Sequence, residues 1–172
     1  QHVTAITHTY EVEARLRELQ THSERAETAR RGYLLDSDSD YIRTVAAAGS
    51  ALPRTVDAIG ALTADNPDQQ ERALQLEDLS RQQIVLLEAT VSSIAQGNRE
   101  SALAAFRDRD QGLALIPAIR RISGDMIDAE NALLAERTAA ERAGIAQFFA
   151  IVGVAGVLLV IILGGTLVGG PL

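Results

Sequence analysis

The chain carries three histidines, His2, His8 and His22, and no cysteine. Histidine can move a proton or relay a phosphoryl group, and with other ligands it can hold a metal. His2 and His8 stand six residues apart and so fall on different faces of a helix. No thiol completes a zinc set, which makes surface or partly buried histidine the expectation at all three positions. A phosphorelay role for His22 has no kinase or receiver sequence beside it. Asp36, Asp38 and Asp40 alternate with serine, but the glycine and glutamate that complete a calcium loop are missing. Capping a helix is the better use for them. Glu27 and Arg31 sit at i, i+4 and can pair along a helix for a few tenths of a kcal/mol. Two readings of that pair stay open. It is either a surface pair, or Glu27, Arg31 and Tyr33 bond across to a closing helix near Glu130, giving register more than stability. Gly32 then leaves room for a turn or for a close neighbour. No nucleophile–base pair, phosphate loop or metal-ligand cluster is present, so the chain reads as a non-enzyme with no cofactor and no metal.

Helices must position these side chains, because apolar residues recur at three- and four-residue steps and β-type alternation is lacking. A first run carries Ile6, Val12, Leu16, Leu19, Ala26 and Leu34, and stops at Asp36-Ser37-Asp38-Ser39, where Ser37 or Asp38 can cap the next helix. A second run places Ile42, Val45, Leu52, Val56, Ile59 and Leu62 on one face, with Pro53 expected to bend it. Asn66-Pro67 is a cap followed by proline in the first turn and opens a third run through Leu76, Leu79, Leu86, Leu87, Val91 and Ile94, to a stop at Gly97-Asn98. A short piece from Arg99 to about Arg109 breaks at Asp110-Gln111-Gly112. A last helix then runs from about Leu113 through Ile119, Ile122, Met126, Leu133 and Leu134. Glu136 to Ala143 carries no stop signal.

The charges divide the chain. All 39 lie at or before Arg142, and the 29 residues from Gly144 to Leu172 hold none. At about 1.5 Å per residue that is roughly 43 Å of helix, against the ~20 apolar residues that span a bilayer. The expectation is a transmembrane helix over Phe148–Val168. Gly153, Gly156, Gly165 and Gly169 are its candidates for close helix packing, Gly165-x-x-x-Gly169 having the small-residue spacing. The net charge of −7, with every one of the 16 basic residues an arginine, argues against non-specific nucleic-acid binding. Only 3% of residues are aromatic, which suits tight aliphatic packing and argues against a small-molecule pocket.

Four long helices joined by short turns bury their stripes as an antiparallel four-helix bundle over residues 1–143, an all-α fold whose last helix continues into the membrane segment 144–172. Four antiparallel helices bring both chain ends to one end of the bundle, so an anchor before Gln1 is expected.

The run Glu24-Arg25-Ala26-Glu27-Thr28-Ala29-Arg30-Arg31-Gly32-Tyr33-Leu34-Leu35, followed by Tyr41, resembles the signature of the third type of CHASE domain, the cyclase- and histidine-kinase-associated sensory extracellular domain. Asp65-Asn66-Pro67-Asp68-Gln69-Gln70 is similar to the start of the family's third helix. Gly112, Ile119-Arg120 and the stretch from Glu130 to Arg137 are similar to its closing helix. The resemblance implies a periplasmic sensory bundle between two membrane helices, feeding a histidine kinase, a diguanylate cyclase or a chemoreceptor-like output. It further implies a membrane location, and pairing as a homodimer or with neighbouring membrane-protein subunits. The alternative is an accessory or scaffold subunit of a larger membrane complex, because no output module follows the span in this sequence.

Overall fold

The computed structural model describes the backbone of residues 2–108 and 111–168, and the side chains of 5–107, 112, 114–140 and 142–156. The described residues are helical, in five elements: α1 His2–Asp36, α2 Ser39–Leu62, α3 Pro67–Ala95, α4 Arg99–Asp108 and α5 Gln111–Val168. The chain divides into two compact units, Val3–Asn131 and Ala132–Leu172.

Local chemistry explains the breaks. α1 ends where Ser37 takes the left-handed conformation (φ 60°) and returns its N–H to the Tyr33 carbonyl. Asp38 caps α2 by accepting from the Asp40 N–H at 2.9 Å, and Asp36 accepts from Asp38 in the same way. α3 opens on Pro67 behind Asn66, whose side chain accepts from the Gln69 N–H. It closes with Gly97 at φ 81°, the Gly97 N–H bonding Ile94 and the Asn98 N–H bonding Ser93, so the last carbonyls are satisfied. Pro53 lies inside α2. The expected break at Asp110-Gln111-Gly112 is narrower than the sequence suggests, because Gln111 and Gly112 already belong to α5.

One core in the first unit draws on four helices: Leu16 and Leu19 from α1, Leu52 and Ile59 from α2, Leu76 and Leu87 from α3, Ile119 and Met126 from α5. A buried seam of α1 falls at 12, 16, 19, 23, 26, 30 and 33, with Thr9, Glu27, Ala29 and Leu34 buried beside it, and that of α3 falls at 69, 73, 76, 80, 83, 87, 90 and 94. Both follow the alternating four–three spacing of a helix seam. Across α1 and α5, Glu13 meets Asn131, Glu24 meets Arg120 and Glu27 meets Gly112. Numbers rise on one helix as they fall on the other, so the two run antiparallel. A smaller cluster of Tyr33, Leu34 and Ile94, with Leu103 and Phe106 of α4 against it, closes one end.

In the second unit the apolar side chains lie open, among them Ile145, Phe148, Phe149, Ile151, Val152 and Val154, and Phe148 meets Phe149 edge-to-face with ring centroids 5.9 Å apart. Among the described residues no helix is long and apolar enough to cross a membrane. The expected span Phe148–Val168 falls for most of its length on 157–168, whose side chains lie outside the described residues.

Candidate functional site

The most concentrated polar chemistry in the first unit is a buried acid–base cluster where α1, α4 and α5 meet. Positions 27, 30 and 31 of α1 share a face because they are three and four residues apart. Glu27 and Arg30 are 4% and 3% exposed. Arg30 donates to both carboxylate oxygens, Nε to Oε2 at 2.9 Å and Nη2 to Oε1 at 2.7 Å, and Arg31 Nε donates to Oε1 at 2.8 Å. This is the bidentate geometry that makes an arginine–carboxylate pair both strong and directional. The two guanidiniums lie 5.3 and 5.8 Å from the ring centre of Phe106, a cation–π arrangement that ties α4 to α1.

Gly112, at the start of α5, completes the cluster. A Cβ added there would stand 2.6 Å from both Glu27 oxygens, so the carboxylate occupies the space a side chain would need. The site therefore fixes where α5 begins relative to α1.

Two further polar contacts fix register between other helix pairs. Gln83 of α3 accepts from the Ser23 hydroxyl at 2.7 Å and donates to the Ser23 carbonyl at 2.9 Å. Gln69 of α3 donates to the Met126 carbonyl and to Glu130 Oε1, both at 3.0 Å. The hydroxyls of Ser80 and Ser123 are buried and have no partner among the described residues.

These placements correct the expectations for the motif. Glu27 and Arg31 come together, with the Glu27 carboxylate buried and the Arg31 side chain 40% exposed at the edge of the cluster. Glu130 is elsewhere: it lies eighteen residues beyond Gly112 on α5, about 27 Å along the helix, and bonds Gln69. Among the described residues Tyr33 makes no polar bridge to α5; it is buried in the small apolar cluster. Gly32 does not end α1. It admits the Tyr41 ring, whose atoms would lie 2.5–2.9 Å from an added Cβ.

Of the membrane-segment glycines, Gly153 and Gly156 have open space around them, and Gly165 and Gly169 lie outside the residues whose surroundings are described. The His2 side chain is also outside them. His22 stands 3.5 Å from Glu18, whose carboxyl is held below its usual range first by the Arg15 hydrogen bond.

Phe106 and Gln83 were not singled out by type or motif, and Arg30 and Gln69 stood only inside the family-like motif stretches, with no role given to either. A signal for Arg30 existed: it occupies the α1 seam in register with Leu16 and Leu19, where an arginine must be paired.

An apolar groove also lies open on the face where α2 and α3 adjoin, with a volume of about 520 Å³. The low aromatic count gave no hint of it, because its walls are aliphatic.

A family model, the CHASE3 domain, matches residues 2–140. The chain belongs to the CHASE3 domain family. The match takes in the buried cluster, both register contacts and the whole core. CHASE3 domains are sensory, extracellular and not catalytic, and they occur in signal-transduction proteins. No curated protein and no solved structure matches the chain.

Proposed function

We propose that this chain is the extracytoplasmic signal-input domain of a bacterial membrane receptor, such as a histidine kinase. The CHASE3 match over residues 2–140 is the observation that carries this reading. In it, α1, α2, α3 and α5 form an antiparallel four-helix bundle in the periplasm, and α5 continues into a single transmembrane helix over Phe148–Val168. The uncharged stretch after Arg142 supports the membrane segment. So does the exposure of Phe148, Phe149 and Ile151, at 62%, 66% and 61%, because an apolar run of that size needs a cover that is not water.

The mechanism follows from what holds α5. A stimulus that alters the helix packing shifts α5 by about 1–2 Å, the scale on which packed helices exchange between two arrangements. The Glu27–Gly112 seat and the Gln69–Glu130 contact set the resting position. Pairing of two copies, or with neighbouring membrane-protein subunits, belongs to the same reading, since a helix displacement is read against a second helix.

The test joins residues 1–172 to the transmitter of a membrane histidine kinase, in place of that kinase's own input. Two- and three-alanine insertions after Ala143 rotate the downstream helix by about 200° and 300°. Output that moves with the insertions supports the reading, and output blind to both refutes it.

A further inference from the structure

The α2–α3 groove has walls of Ile42 and Val45 on α2 and of Ile84, Leu87 and Val91 on α3, with Gly49 and Ser50 beside them. Its volume of about 520 Å³ is within the range of ligand sites, roughly 300–1,000 Å³. Residues 42–50 of α2 give it a length of about 12 Å. Gly49 keeps it open: an added Cβ there would meet nothing within 4 Å. A second lobe of about 250 Å³ runs on past Ile84 to Pro53 and Val56, with Asp57, Glu77 and Arg81 also on its walls.

The charge on the larger lobe has one sign. The only charged residue lining the larger lobe is Glu88. Glu88 has no hydrogen-bond or ion-pair partner among the described residues, whereas Glu13, Glu18, Glu24, Asp40 and Asp78 each pair with an arginine. Pro53 has no N–H to return to the Gly49 carbonyl, so an acceptor at the groove wall lacks its usual helical donor. The segment 39–95 holds eight carboxylates against four arginines, a net −4 of the chain's −7. Two copies meeting through these helices would bring segments of like net charge together, which repels. The same field attracts a cation.

We propose that the α2–α3 groove is a binding site for a small amphipathic cation: an organic ammonium whose apolar chain lies between Val45 and Leu87, with its head at Glu88. Binding stands on the groove alone. Its role as a stimulus rests on the sensory reading above, with the ligand wedged between α2 and α3 shifting the packing that positions α5.

The chain has no cysteine, so Ser50→Cys places a unique thiol at the groove, and Thr21→Cys places one on the exposed surface of α1 as a control. Each full-length variant in lipid nanodiscs is alkylated with a maleimide against rising octylammonium, octanol or octanoate. Octylammonium is expected to slow alkylation of the Ser50→Cys variant saturably and to leave that of the Thr21→Cys variant unchanged. Its half-protecting concentration should be about three- to fivefold below that of octanol, the size of a partly exposed ion pair, and further still below that of octanoate. Adding Glu88→Gln to the groove variant is expected to erase the difference between octylammonium and octanol, and adding Gly49→Leu to abolish protection by filling the groove. Equal protection by the three head groups, equal protection of the Thr21→Cys control, or protection that survives Gly49→Leu overturns the proposal. Because alkylation reports occupancy without any output, a failure here is distinct from a failure of the kinase fusion. Binding without a change in fusion output would leave the site standing and remove its role as a stimulus.

Discussion

Replacing Gly112 with alanine should destabilise the protein, although the same substitution in an ordinary helix interior stabilises it. Alanine is favoured over glycine in a helix by about 1 kcal/mol. At Gly112 the new Cβ would stand 2.6 Å from the Glu27 oxygens, and ordinary contact begins at 3.4 Å. The carboxylate must retreat by about 0.8 Å. It is held by three arginine hydrogen bonds of 2.7–2.9 Å, so a retreat of that size stretches at least one of them past bonding distance. Losing one charge-assisted bond in the interior costs about 1.5–3 kcal/mol, and the crowding itself adds a similar order. The net expectation after the propensity gain is a loss of about 1.5–5 kcal/mol, or roughly 3–20 °C in Tm for a chain of this size.

Gly124, on the same helix, supplies the control, because a Cβ there would meet nothing within 4 Å. Gly124→Ala should therefore raise stability by up to about 1 kcal/mol. Both variants are compared with the parent by thermal and urea unfolding of the full chain in nanodiscs, followed by far-UV circular dichroism. If Gly112→Ala stabilises as much as Gly124→Ala, Glu27 does not sit against α5, and the argument that this cluster fixes its start is wrong.

Three other outcomes follow from the same packing. Ser80→Ala and Ser123→Ala should each raise stability, by up to about 1 kcal/mol in urea unfolding, because each removes a buried hydroxyl with no partner among the described residues; a loss in either would mean that the hydroxyl is satisfied after all. Gly32→Ala should destabilise less than Gly112→Ala, since the half-buried Tyr41 ring can swing aside, and Tyr41→Ala in the same chain should restore the stability lost at position 32, as a double-mutant cycle would show. The Arg81 hydrogen bond holds the Asp78 carboxyl below its usual range. A lowered folded pKa stabilises fully above the ordinary carboxylate pKa and loses that contribution as pH falls through the lowered value, so acid titration of Arg81→Ala should show a shallower loss of stability below about pH 4 than the parent.

Much of this arrangement was legible in the sequence, for reasons that can be named. Helix ends were readable wherever a side chain or a missing N–H settles them, as at Asp38, Asn66, Pro67 and Gly97. The apolar stripes were readable because periodicity needs no tertiary information. The polar part of the core was not. Arg30, Gln69 and Gln83 occupy seam positions where the pattern calls for an aliphatic residue, so a search for apolar periodicity passes over them. Their partners lie 3, 61 and 60 residues away, and the last two separations have no sequence signature. Glu130 was linked to Glu27 because both sit in family-like motifs, yet eighteen residues of α5 separate Glu130 from the helix start that Glu27 touches.

The polar contacts are unevenly shared among the helices, and that has a dynamic consequence. Ser23–Gln83 joins α1 to α3, Gln69–Glu130 joins α3 to α5, and the Glu27 cluster joins α1 to α5. Each fixes an axial register, because a slip of one turn would strand a buried polar group. Among the described residues α2 has no such buried cross-link. Thr55 and Thr63 turn their hydroxyls to carbonyls of α2 itself, at Ala51 and Ile59, and only Gln70 reaches α2 from α3, near its end at Gly60 and Thr63. Aliphatic packing resists separation but tolerates sliding, and Pro53 removes one of α2's own hydrogen bonds. Of the two helices that wall the groove, α2 is thus the one less fixed along its axis. In amide hydrogen exchange of the full chain, α2 from Val45 to Val56 should open at lower free energy than the equally buried stretch of α3 from Leu76 to Leu87. Equal protection of the two would mean that apolar packing alone holds α2 as firmly as the buried polar contacts hold α3, and the division of the core into three locked helices and a movable fourth would have to be given up.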